Sequence, residues 1–193
     1  MIYKRLDIWV EGPHDSIFFN KIIKDIFEEK GYVVRVREYN GDEIKGEIMN
    51  ETVSKLINYL ESDEYKKSSE KKFCPLQYIF VRDFDDSSSY TEKKEEITNI
   101  VKKIDKDKIV IVKKIIESLY ISGLNRKKCN KLGIPVNKIK RNEFITKNEF
   151  DLCIKGSKRN FLINIAKNFD IEIAKTNNNS FKYFLDFIET YYI

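Results

Sequence analysis

Leu6-Asp7-Ile8-Trp9-Val10-Glu11-Gly12-Pro13-His14-Asp15 is the stretch that decides the fold. An apolar run ends in a carboxylate, Gly12 permits a tight turn, and Pro13 opens an amphipathic segment carrying Ile17, Phe18, Ile22, Ile23 and Ile26. The pattern predicts a strand, a turn and a helix from about Asp15 to Lys30, stopped by Gly31. Glu11 then falls at the C-terminal end of a strand, the edge where open α/β sheets gather their sites.

Outward from this unit the same alternation repeats. Tyr32 to Arg37 reads as a second strand, Gln77 to Val81 as a third and Ile109 to Val112 as a fourth. Between them lie a turn at Asn40-Gly41-Asp42, a helical pattern from Ile48 to Leu60, a charged loop from Ser62 to Lys72 and a helix from about Thr91 to Ile104. Parallel neighbours need crossover connections, so this order predicts an α/β fold with a mostly parallel four-stranded sheet flanked by helices. After the fourth strand the spacing is helical. A short helix around Ile115 to Ile121 should end at Gly123, Thr146 and Glu149 form a capping box, and helices are expected over Asn160 to Asn168 and Ser180 to Tyr191. Phe181, Phe184, Leu185 and Ile188 have the spacing of a core-facing stripe. The expected division is an α/β domain over residues 1–124 and a basic, helical C-terminal extension over 125–193, packed on it.

The 193 residues, 41% hydrophobic and 35% charged, suit a folded chain with a sizeable core. No apolar run approaches the roughly 20 residues that span a bilayer, and Lys4, Arg5, Asp7 and Glu11 interrupt any signal-peptide pattern, so a cytoplasmic protein without a membrane partner is expected. Cys74, Cys129 and Cys153 are odd in number and form no CxxC pair, which argues against a disulfide framework or a zinc finger. The net charge of +5 permits a polyanionic partner without demanding one. Arg126, Lys127, Lys128, Lys131, Lys138, Lys140 and Arg141 form a run with no intervening acid, either a lysine-rich solvated surface or a nucleic-acid surface.

The chemistry rests on acids at strand ends. Asp83 and Asp85 close the third strand, and Glu11 closes the first. Carboxylates gathered at adjacent strand ends repel one another unless a cation sits among them, and hard oxygen donors select magnesium or manganese. The alternative for Asp85, Asp86 and Ser87 to Ser89 is a helix N-cap region, and for Asp15 a first-turn cap. His14, the only histidine, is taken as a polar turn residue.

Together the two motifs resemble the Toprim domain, the α/β module of topoisomerases, bacterial primases, small ribonucleases and the nuclease half of OLD (overcoming-lysogenization-defect) proteins. Trp9-Val10-Glu11-Gly12 matches its strand ending in Glu-Gly, with Asp15 in the OLD-like position, and Asp83-Phe84-Asp85 matches its Asp-x-Asp. Ile116-Glu117-Ser118-Leu119-Tyr120 is similar to a glutamate-bearing segment after the fourth strand of OLD-like and stand-alone members. The resemblance covers roughly residues 5–124 and implies magnesium- or manganese-dependent phosphodiester cleavage of nucleic acid, DNA ahead of RNA. It implies that Asp83 and Asp85 hold the metal, that Glu11 is a ligand or the general acid/base, and that Asp86, Glu117 or Asp15 could serve a second ion. Arg126, Lys127, Lys128, Lys155, Lys158 and Arg159 become candidates for phosphate contacts, with a solvated turn the equal alternative for the last three.

The chain lacks GxxxxGK[ST], so any accompanying ATPase would be encoded separately. An OLD-like affinity would place the protein in phage defence or DNA repair. Two other readings stay open: a binding subunit that keeps the fold with little activity, and a haloacid-dehalogenase-like phosphatase using Asp83 as nucleophile. The second expects its motif on the first strand, whereas here two strand-helix units precede it.

Overall fold

The computed structural model describes residues 4–39, 58, 62, 76–84, 89–100, 104–113, 115–137 and 142–192. The chain divides into two compact units, residues 1–82 with 87–111 and residues 83–86 with 112–193. The expected turn at residues 40–42, the loop from 63 to 72 and nearly all of the helix from 48 to 60 lie outside the described residues, as do Asp85 and Asp86.

The described sheet is parallel and consists of β1 (Lys4–Val10), β2 (Tyr32–Glu38), β3 (Leu76–Asp83) and β4 (Ile109–Val112), in the order β2-β1-β3-β4, with all but Asp83 and Val112 in the first unit. The expected α/β architecture is the one found, with helices flanking the sheet and further helices toward the C-terminus. β1 lies between β2 and β3, and its residues from Leu6 to Val10 are buried on both faces. That burial explains why its apolar run is nearly unbroken. β2 is an edge strand of the described sheet and alternates instead: Tyr32 and Val34 are buried while Val33 and Arg35 are exposed.

The segment after β1 corrects one expectation. The helix begins at Pro13 rather than Asp15, and it is continuous through α1 (Pro13–Phe18), a π-helical stretch (Phe19–Ile23) and α2 (Lys24–Glu29). A π turn widens the helix by one residue. Across it the neighbouring Phe18 and Phe19, and then Ile22 and Ile23, are all buried. Phe18, Ile23 and Phe27 are wholly buried, as are Leu6, Ile8 and Val10. Each such side chain stabilises by roughly 1.5–3 kcal/mol relative to exposure. Gly31, at φ 84, makes the left-handed turn into β2.

Helix α3 covers Tyr90–Ile100 among the described residues, and Ile104, expected as its last residue, lies in a bend. Ile104 is nonetheless buried, so its apolar character reflects core packing rather than helix.

The second unit centres on α4 (Ile116–Ser122), of which every residue is buried, including Glu117, Ser118 and Ser122. Around it stand α5 (Arg126–Leu132), α6 (Lys147–Asp151), α7 (Lys158–Lys167), α8 (Ile171–Asn177) and α9 (Asn179–Tyr192). The expected caps are present: Thr146 and Glu149 exchange both bonds of a capping box, and Phe181, Phe184, Leu185 and Ile188 are buried on α9. Helix α8 was not anticipated. It packs on α4, whose last carbonyls it helps to satisfy: the Asn177 side-chain amide donates to Ser122 O at 2.9 Å and the Asp170 N–H donates to Gly123 O at 3.0 Å.

Candidate functional site

Glu11 directly follows β1, and Asp83 is the last residue of β3; both are half-buried. β1 and β3 are hydrogen-bonded neighbours that run in the same direction. Tyr39 braces this end of the sheet. Its N–H donates to Val10 O at 2.9 Å, its hydroxyl donates to Val81 O at 2.7 Å, and its ring stacks on Phe80 with centroids 4.4 Å apart. The chain leaving β2 is thereby fastened across the last residues of β1 and β3. In the sequence, Tyr39 was one aromatic among many at the end of a strand.

The remaining candidates are placed as follows. Asp15 Oδ2 accepts from the Gly12 N–H at 3.1 Å, the capping contact that a first-turn acid makes. Glu117 sits in the first turn of α4 with its side chain 7% exposed, and its Oε1 lies 3.0 Å from the Lys158 ammonium. Lys158 also meets Asp151 Oδ1 at 2.9 Å and lies over the Phe150 ring at 5.8 Å. Burial alone would lower its pKa, but the hydrogen bonds and charges of Asp151 and Glu117 outweigh it and hold the ammonium above the ordinary lysine value. Lys158, 20% exposed, is therefore an internal counter-ion, which neither a free surface turn nor a phosphate contact describes. Lys155 and Arg159 are exposed.

On α5 the chain presents Arg126 and Lys127 to solvent, while Lys128 reaches Asp170 at 3.9 Å. Arg126 lines a shallow groove with Asn125, Ile173, Thr176 and Asn177. Lys138, Lys140 and Arg141 lie outside the described residues.

Carboxylates such as Glu11 and Asp83 are the hard oxygen donors that magnesium or manganese takes. Among the described residues no group of three or more His, Cys, Asp and Glu side chains forms a metal-holding cluster, and the expected set includes Asp85 and Asp86, beyond those residues. No described helix is long and apolar enough to cross a membrane. Comparison with protein-family models, curated proteins and solved structures finds no match for this chain.

Proposed function

We propose that this chain is a Toprim-type nuclease that cleaves nucleic-acid phosphodiesters with magnesium or manganese. The observation that supports it is the pairing of β1 with β3 as parallel neighbours, one followed by Glu11 and the other closed by Asp83. In this reading Asp83 and Asp85 hold the ion and Glu11 is a further ligand or the group that takes or gives a proton at the reacting oxygen. A bound ion would neutralise the phosphodiester and supply the charge that stabilises the leaving oxyanion. Exposed Arg126, Lys127, Lys155 and Arg159 are the candidates to neutralise flanking phosphates, with DNA preferred over RNA.

A second reading, a binding subunit without catalysis that works beside a separately encoded ATPase, draws support from Glu117. Its charge is already balanced by Lys158, so one of the expected carboxylates has its cation within the protein. Incubation with supercoiled plasmid, linear DNA and RNA in magnesium, manganese or chelator separates the two. The nuclease reading expects cutting that needs a metal and that Glu11→Gln abolishes while thermal stability is kept. Binding without cutting in either metal favours the subunit.

A further inference from the structure

β1 and β2 pair with Arg5 opposite Val33, Asp7 opposite Arg35 and Trp9 opposite Arg37. Paired residues of parallel neighbours project from the same face, so this face carries three arginines and a single acid. The other face carries Leu6, Ile8, Tyr32 and Val34, all buried.

Arg37 is held in an unusual way. Its Nε donates to Asp7 Oδ2 at 2.7 Å, and its guanidinium lies 5.5 Å from the Trp9 ring centroid. Asp7 is 1% exposed, so its charge is buried, and Oδ1 has no hydrogen-bond partner. The Arg37 side chain, by contrast, is 41% exposed. The buried carboxylate and the indole therefore fix the inner edge and one plane of the guanidinium, and among the described residues its Nη groups make no hydrogen bond. An arginine normally loses up to about 2 kcal/mol of rotamer freedom when it is immobilised. Asp7 and Trp9 have imposed much of that loss before any ligand arrives. Arg35 stands two residues earlier on the same face and is exposed, on the outermost strand of the described sheet.

We propose that Arg37, pre-set by Asp7 and Trp9, forms with Arg35 a strip on β2 that contacts backbone phosphates of nucleic acid. A guanidinium presents paired N–H donors that match two phosphate oxygens, and two of them spaced about 6.6 Å along a strand can engage neighbouring phosphates. The strip leads toward the proposed centre, because Glu38 at the end of β2 is in register with Val10, the residue before Glu11. It rests on the nuclease reading and names where the substrate backbone lies.

The test is fluorescence anisotropy of labelled duplex DNA with chelator present, so that nothing is cut. Arg35→Gln should weaken binding about tenfold and reduce the slope of log affinity against log salt by about one. Arg37→Lys keeps the charge beside Asp7 but loses the fork, so it should weaken binding about tenfold with the slope unchanged. Circular dichroism melting checks that both variants fold. If both bind with the parent's affinity and slope while the parent binds and cuts, the strip is refuted and the nuclease reading survives. If the parent neither binds nor cuts, both fall.

Discussion

The Lys158 ammonium sits between two carboxylates, 3.0 Å from Glu117 and 2.9 Å from Asp151, and ties α7 both to the buried helix α4 and to α6. Glu117 is the inner partner and Asp151 the exposed one, so the two contacts are unequal in worth. The bridge to Asp151 has one partner open to solvent and is the more screened of the two. The one to Glu117 answers a charge that has no other way out of the core.

Removing that ammonium should therefore cost stability. Lys158→Met leaves Glu117 buried beside an apolar stem, a defect of about 3 kcal/mol. Adding Glu117→Gln should recover part of the loss, since the uncompensated charge goes with it. Urea denaturation of the two single variants and the double variant measures the coupling. Equal stability of Lys158→Met and parent would show that Glu117 is satisfied some other way.

Cys129 is wholly buried in the middle of α5, and burial, with Cys153 nearby, pushes its thiol up from 9.0 to about 11. A thiol raised in the folded state contributes stability that is complete below pH 9 and is lost as pH climbs through 11. Lys158 is raised too, so its contribution also fades on the alkaline side, above its ordinary 10.5. Melting temperature should hold to about pH 9 and then fall, and Cys129→Ala should flatten the first part of that limb. At pH 8 a thiol reagent should leave Cys129 and Cys153 unmodified until denaturant is added.

Gly123, which ends α4, has ordinary backbone angles, so its small size matters for space and not for conformation. A Cβ there would overlap the ring of Phe169, which packs edge-on against Phe181 at 5.5 Å. Gly123→Ala should destabilise by about 1–3 kcal/mol through overpacking, despite alanine's better helix propensity. Gly12→Ala, where a Cβ meets nothing within 4 Å, is the control that should melt near the parent temperature.

Much of the fold was legible because its strands are short apolar runs bounded by turn residues. Ile109 to Val112 was read to the residue, and β3 extends the expected Gln77 to Val81 by Leu76 at its start and by Arg82 and Asp83 at its end. The π stretch was not, because Phe18-Phe19 and Ile22-Ile23 fit the count of an ordinary helix equally well. Helix α8 escaped because Ile171 and Ile173 alternate with polar residues, a strand-like signal that the Asp170 cap overrides. That Glu11 follows β1 and Asp83 closes β3 was also legible, because a place at a strand end is a local property. The partners of Glu117 and Asp7 were not, since Lys158 lies far along the chain and Arg37 is one basic residue among many. Such pairs are decided by packing, which spacing does not encode.

The ammonium beneath α4 belongs to a covalently attached side chain and cannot be dialysed away. Stripping divalent ions from a sample should therefore leave the helical half of the chain standing. An inactivation by chelator that spares its circular dichroism would then report on chemistry alone, and the same measurement in a chain lacking Lys158 would not separate the two so cleanly.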